Sequence, residues 1–243
     1  MESIYPEVIT TFAAVVLYGV PVAVAVLSYL LGCINGAIAT SHLFYHDDVR
    51  RHGSGNAGLT NFYRNYGAKC APMVIAFDML KAVVAVGVAV WLGSHFDPRL
   101  MPDVPLSAAQ QAMYVLHFKY WAGLFCVIGH MFPCTAGFKG GKGILCSGTL
   151  LLLLDWRIAL AGWGAFVVLG AATRYVSLGS VAAAISLPFS TYFVFHDTVC
   201  TVLGTAISLL VLWAHRGNIK RLLSGTESKF RFHVNAPKPG EEQ

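Results

Sequence analysis

An all-α membrane protein of seven transmembrane helices is the fold class this sequence predicts, and three observations predict it. The 243-residue chain is 56% hydrophobic and only 12% charged, with a mean hydropathy of +0.61, whereas soluble domains carry roughly 25% charged residues. Apolar runs long enough to cross a bilayer recur along its whole length. Its Lys and Arg residues gather in alternate connections between those runs. A β-barrel would need ten-residue alternating segments, and these are lacking.

Spans are expected near 11–40, 70–93, 112–133, 143–155, 158–173, 177–195 and 199–215. Together they make one integral membrane domain over 1–243, with 1–20 as an N-terminal extension and 216–243 as a tail. The opening "MESIYPEVIT" holds Glu2 and Glu7 and no basic residue, so the first apolar run reads as a retained span rather than a signal peptide. The fourth run is short. It and the third closely flank a glycine-rich loop, so both read as partly re-entrant or broken.

Charge orients the chain. Arg50, Arg51, Arg64 and Lys69 lie in the first connection, Lys139 and Lys142 in the third, and Arg174 in the fifth. Arg216, Lys220, Arg221, Lys229, Arg231 and Lys238 lie in the tail. The opposite side holds only Arg99 and Arg157, while Lys81 and Lys119 fall within or at the edge of spans. The positive-inside rule then puts the N-terminus outside and the tail in the cytoplasm. The six cysteines form no C-x-x-C pair and mostly sit in apolar runs, where they read as small hydrophobes; no disulfide framework or zinc site is indicated.

Every polar, glycine-rich segment falls on the cytoplasmic side. "GSGNAGLTNFYR" offers Ser54, Gly55, Asn56, Thr60, Asn61 and the guanidinium of Arg64; turn chemistry alone would also explain much of it. "GHMFPCTAGFKGGKG" ends in Lys139, Gly140, Gly141, Lys142 and Gly143. It is not a Walker A loop, because Ala136 and Gly143 stand where that motif requires Gly and Ser or Thr. Successive glycine amides could still form an anion nest beside a lysine, backed by the positive end of the next helix. In "RYVSLGSV", Ser177 and Ser180 either cap a helix or bind an oxyanion. In "HRGNIKRLLSGTE", His215 and Asn218 share a face if the last helix continues. Within the second span, Asp78 and Lys81 are too costly to stand isolated, and an internal ion pair is favoured over a site role.

No carboxylate stands out as a base, and neither a G-x-S-x-G elbow nor metal-ligand spacing is present. The kit suits binding of phosphates beside an apolar interior. An activated acyl phosphate meeting a phosphorylated alcohol there would need little more than positioning and charge neutralisation.

The four motifs "GSGNAGLTN", "GHMFPCTAGFKGGKG", "RYVSLGS" and "HRGNIKRLLSGTE" closely resemble, in order, those of the bacterial acyl-phosphate:glycerol-3-phosphate acyltransferases, from about Leu30 to Phe230. "AFDMLKA" is similar to that family's second span. The resemblance implies a multi-pass enzyme of the bacterial inner membrane. It would acylate the sn-1 hydroxyl of glycerol 3-phosphate from acyl phosphate, giving lysophosphatidic acid without an acyl-enzyme. Ser54 and Arg64 would bind glycerol 3-phosphate, with His215, Asn218 and a lysine, Lys142 in preference to Lys139. The loop glycines with Ser177 and Ser180 would cradle acyl phosphate. A substrate phosphate oxygen or His215 would take the proton. The resemblance implies a monomer in a lipid bilayer with no cofactor, metal or nucleic acid. Departures include Ala57 where Pro is usual, Leu59 where Ala is usual, and Cys146 and Ser147 where Ala or Thr is common. "HLFYHD" matches the H-x-x-x-x-D spacing of another acyltransferase class, but this many His and Asp residues produce such spacing by chance. A transporter of a phosphorylated solute is the alternative; it should show two inverted halves, and no such repeat is visible.

Overall fold

The computed structural model describes residues 15–96 and 107–230. A π-helical turn, Val15–Gly19, leads into α1 (Val20–Gly32) and then α2 (Gly36–Tyr45). Next come α3 (Leu59–Tyr66), α4 (Ala71–His95), α5 (Ala108–Met131) and α6 (Ile144–Leu154). The last four are α7 (Trp156–Thr173), α8 (Val176–Phe195), α9 (Thr198–Ala214) and α10 (Arg216–Leu223). No strand occurs among the described residues.

Five helical segments are long and apolar enough to cross a bilayer: Leu17–Tyr45, Ala71–His95, Ala108–Ala136, Trp156–Thr173 and Val176–Phe195. A sixth is the pair α9 and α10, bent by 61°. The expected fourth span, α6, has only 11 residues. At 1.5 Å per residue it is about 16 Å long, roughly half the hydrocarbon thickness. The expectation that it is no ordinary span is met. The third run, expected to be partly re-entrant or broken as well, is instead one continuous helix of 24 residues, α5, long enough to cross.

The first span departs from expectation. It runs on to Tyr45 and opens between Cys33 and Asn35. Asn35 caps α2 by accepting from the Ile38 amide at 3.0 Å, while its amide group donates to the Ala57 carbonyl at 3.0 Å. One buried polar side chain thus ties the break to the first polar loop. Residues 1–14 of the expected 1–20 extension and most of the 94–111 connection lie outside the described residues.

Glycine lets the helices meet backbone to backbone. A Cβ on Gly129 of α5 would collide with the Tyr29 carbonyl of α1, and one on Gly32 with the Cys126 carbonyl. Small residues at such seams give membrane helices their van der Waals contact, since lipid removes the hydrophobic drive between them. Outward-facing Leu80, Trp156, Leu160, Val168 and Phe193 remain exposed, as a lipid-facing belt requires. The six cysteines are free thiols, five of them buried.

Asp78 and Lys81 form the internal ion pair favoured from the sequence, at 2.9 Å, with both side chains buried. Lys81 Nζ also donates to the Ile34 carbonyl at 2.8 Å and the Gly32 carbonyl at 3.3 Å, and lies 2.7 Å from His130 Nδ1. Asp78 accepts from the Gly36 amide at 3.0 Å. All three of lysine's hydrogens and the carboxylate are therefore engaged in pinning the break in the first span to the end of α5.

Candidate active site

The first loop is organised by Asn61. Its amide group donates to the Val49 and His52 carbonyls at 3.0 and 3.1 Å, and its oxygen accepts from the Ser54 amide at 3.0 Å. With its side chain committed at both ends and buried, Asn61 is a scaffold residue rather than the ligand the sequence suggested. Gly53 and Gly55 turn the loop with φ of 56° and 68°, a region that favours glycine. Ser54 and Gly55 are thereby left exposed, with Asn56 and Thr60 half-buried beside them.

The glycine-rich loop also differs from expectation. The Gly140 amide donates to the Met131 carbonyl at 3.0 Å and the Gly141 amide to the His130 carbonyl at 3.1 Å. These amides are not free to form a nest. The glycines are required for another reason: a Cβ on Gly140 would collide with the His130 carbonyl, and one on Gly141 with the His130 ring and the Ala57 carbonyl. Close packing on His130 folds the loop back on the end of α5. Arg50 clamps it from the first loop, donating to the Ala136 carbonyl at 2.6 Å and the Lys139 carbonyl at 3.2 Å. The chain then turns through Gly143 at φ 77° into α6. Among the described residues the Lys142 and Gly143 amides have no backbone acceptor.

The two lysines are separated by this fold. Lys139 lines an open polar hollow with Arg50, Arg51, Gly55 and Thr135. Lys142 turns the other way, and its ammonium donates to Asn218 Oδ1. Asn218 in turn donates to Glu227 Oε1 at 2.8 Å, which also accepts from Ser177 Oγ at 2.9 Å; Arg221 Nε donates to Glu227 Oε2 at 2.7 Å. Lys142, Asn218, Ser177, Arg221 and Glu227 are thus one connected network. Arg64 from α3 lies close enough to act on the Lys142 charge, and both Lys142 and Glu227 act on His215.

Glu227 is a residue to which the sequence reading gave no role, although it ends the fourth motif, within the segment expected to be the tail. That stretch folds back over the site. The Phe230 amide donates to the Arg174 carbonyl at 2.8 Å, the Phe230 ring packs on Tyr63 at 5.4 Å, and Lys229 lies over the Tyr175 ring. Burial tends to raise the Glu227 carboxyl, but hydrogen bonds from Asn218, Ser177 and Arg221 outweigh it, and the group lies below its ordinary range. Burial pushes the Lys142 ammonium down, Arg221 and Arg64 push it further, and Glu227 opposes them.

The last span does not continue through His215 as one helix. The chain bends there, yet His215 and Asn218 both stay buried beside Lys142 and Glu227. His215 Nδ1 lies 2.8 Å from the Val211 carbonyl. A carbonyl only accepts, so Nδ1 carries the hydrogen and the neutral ring keeps its lone pair on Nε2. Ser177 and Ser180 do not act as a pair. Neither caps α8, whose N-cap is Tyr175, and Ser180 Oγ donates to the Val176 carbonyl at 2.9 Å.

An apolar crevice descends from the network between α6, α7, α8 and α9, lined by Ser147, Leu151, Trp163, Ser180, Leu187 and Ile207 among others. Its rim begins at Ile144, two residues past Lys142, and at Val211, the partner of His215. The cationic polar cluster therefore lies within about one helical turn of an apolar slot.

Residues 22–225 match the family model described as glycerol-3-phosphate acyltransferase. The chain belongs to the glycerol-3-phosphate acyltransferase family. A relative from Fusobacterium nucleatum is 36% identical over 207 residues, covering 85% of this chain and 96% of the relative. One from Bacillus subtilis is 33% identical over the same length and with the same coverage. Both bear the name glycerol-3-phosphate acyltransferase. The fold matches the crystal structure of PlsY, an integral membrane glycerol 3-phosphate acyltransferase in its glycerol 3-phosphate form, with a TM-score of 0.73 and 29% identity. That match covers 87% of this chain and 96% of PlsY. The lysophosphatidic acid form of PlsY matches with a TM-score of 0.70 and 27% identity. This glycerol-3-phosphate acyltransferase is accordingly an integral membrane acyltransferase of lipid biosynthesis.

Proposed function

We propose that this chain transfers an acyl group from acyl phosphate to the sn-1 hydroxyl of glycerol 3-phosphate. The observation that carries the reading is the joining of Lys142, Asn218, Ser177 and Glu227, beside Arg64 and His215, at the mouth of the apolar crevice. Acyl phosphate has the same bipartite chemistry: a dianionic head joined to an apolar chain.

In this reading the crevice takes the chain. Lys142, expected from the resemblance in the glycerol 3-phosphate site, is given instead to the acyl-phosphate head because the crevice begins two residues after it, at Ile144. The amides of Lys142 and Gly143 face the same head, helped by the N-terminus of α6. Ser54 and Arg64 hold glycerol 3-phosphate from the first loop, and His215 and Asn218 complete that site. Ser54, Gly55, Asn56 and Thr60 are the exposed or half-buried part of the loop that a small polar substrate would meet. The hydroxyl oxygen bonds to the acyl carbon, the bond from that carbon to the bridging oxygen breaks, and phosphate leaves. The proton passes to a phosphate oxygen. The donor is an acyl phosphate rather than a thioester because catalysis here rests on positioned cations and no activated nucleophile is at hand. Seven spans with the tail in the cytoplasm of a bacterial inner membrane, and a monomeric enzyme, complete the proposal. Such a topology puts the network on the side where 13 of the 17 Lys and Arg residues collect.

Purified protein in detergent, given acyl phosphate and glycerol 3-phosphate, is expected to release phosphate and form lysophosphatidic acid with no membrane gradient. Well-folded protein that does neither overturns the proposal. His215→Gln is expected to keep turnover within roughly tenfold if a phosphate oxygen takes the proton. A loss of the order of 10²–10⁴ would assign that step to the ring.

A further inference from the structure

Four polar side chains line the apolar crevice, and three have their hydrogens committed. Trp163 Nε1 donates to the Gly148 carbonyl at 3.0 Å, Ser180 Oγ to the Val176 carbonyl at 2.9 Å, and Ser208 Oγ to the Ala184 carbonyl at 2.6 Å. The fourth is Ser147. Its Oγ is buried and has no hydrogen-bond partner. Serine in a helix ordinarily turns its hydroxyl onto the carbonyl four residues back, here that of Gly143. That oxygen instead accepts the Ser147 backbone amide alone, at 2.8 Å. A buried hydroxyl left unpaired in an apolar wall calls for an explanation, and a ligand atom is one.

Position identifies the atom. Ser147 stands one helical turn below Gly143, so near that a Cβ built on Gly143 would lie 3.8 Å from its Oγ. Above it is the Lys142 end of the phosphate-binding loop; below it the crevice is apolar. In an acyl phosphate the group between head and chain is the carbonyl. We infer that Ser147 Oγ donates a hydrogen bond to the acyl carbonyl oxygen, holding the donor in register and gaining strength as that oxygen becomes anionic during attack. This rests on the acyl-transfer reading above and deepens it. It gives the site an electrophile-facing donor that neither the phosphate-binding cations nor the loop amides supply.

The test is steady-state kinetics on purified wild type, Ser147→Ala and Ser147→Thr, with acyl phosphate and glycerol 3-phosphate in detergent, beside thermal unfolding of each. Ser147→Ala is expected to lose roughly ten- to hundredfold in kcat. Its KM for acyl phosphate should change little, since the bond tightens mainly in the transition state. Its thermal midpoint should equal or exceed the wild-type value, because an unpaired buried hydroxyl has been removed. Ser147→Thr, which keeps a hydroxyl, should recover most of the rate. A purely structural serine predicts the reverse: a lowered midpoint, with activity falling only as folded protein is lost. Wild-type kcat in Ser147→Ala, or a rate loss that merely follows its midpoint down, overturns the assignment while the acyl-transfer reading stands. A folded wild type that makes no lysophosphatidic acid sinks both.

Discussion

Two charged clusters lie within this protein, and they are built on opposite plans. Around Asp78 and Lys81 the charges are met by partners the chain supplies: a carboxylate, an ammonium, an imidazole, two carbonyls and an amide, with the Asp78, Lys81 and His130 side chains all buried. Around Lys142 the cations outnumber the anions. Among the described residues, Lys142, Arg221 and Arg64 stand near a single carboxylate, Glu227, and Arg221 reaches solvent. The first cluster is closed and holds the break in the first span against α5. The second is short of negative charge and lies beside the apolar crevice that begins at Ile144. Charge balance separates the architectural pair from the binding site where residue type alone does not.

The largest effect should come from breaking the closed cluster. Lys81→Met strands the Asp78 carboxylate and is expected to cost about 3–5 kcal/mol. It should show as collapse of the monodisperse fraction in size-exclusion chromatography. Asp78→Asn combined with Lys81→Met leaves no lone buried charge and should recover part of that fraction. If Lys81→Met purified and unfolded like wild type, the contrast between the clusters would fail at its architectural end.

Lys142→Ala, in the open cluster, should leave the fold intact and remove activity. A loss of roughly 10²-fold or more in kcat/KM is expected for a cation aimed at a reacting phosphate, with the thermal midpoint close to wild type. Lys139→Ala should lose far less, since that side chain lines a separate hollow with Arg50 and Arg51. Equal losses from the two lysines would blur the distinction the fold draws between them.

Much of this was legible beforehand, and the physics says which part. Lipid imposes a one-dimensional signal, so span positions follow from apolar length, and Asp78 with Lys81 announce themselves by their cost in a span. The break at Asn35 is hidden because the apolar run continues through it. The network is hidden because its members are far apart in sequence: Lys142 and Asn218 are separated by 76 positions. Glu227 looks like a solvated turn residue until the chain folds back through Phe230. Gly140 and Gly141 were legible as indispensable glycines, but composition cannot say which carbonyl takes their hydrogens. Contact with His130, and not bare amides, turned out to be their reason.

The open cluster also makes a pH prediction. Lys142 must be charged to hold an anion, and activity is lost as pH rises through its lowered pKa. Glu227 is the neighbour that raises that value. Glu227→Gln should therefore move the alkaline limb of the kcat/KM profile to lower pH, with activity at neutral pH below that of the wild type. In the wild type, the acid limb contributed by Glu227 should lie below the usual carboxylate range, since its hydrogen bonds hold it down. An unmoved alkaline limb in Glu227→Gln would mean that Glu227 does not set the charge on Lys142.

The smallest effect separates the two serines of α8. Sequence places them three residues apart and suggests joint action, but Ser177 donates to Glu227 and so belongs to the open cluster, whereas Ser180 is committed to the carbonyl of its own helix. Ser177→Ala frees one lobe of the carboxylate that also orients Asn218, and about a fivefold loss of kcat/KM is expected from one hydrogen bond to a charged group. Ser180→Ala removes a back-bonded hydroxyl from an apolar wall and should change kcat/KM by less than about twofold. Assayed side by side, the pair sharpens the boundary of the site to a single helical turn. Should Ser180→Ala prove the more damaging, the polar network ends deeper in the crevice than its hydrogen bonds indicate.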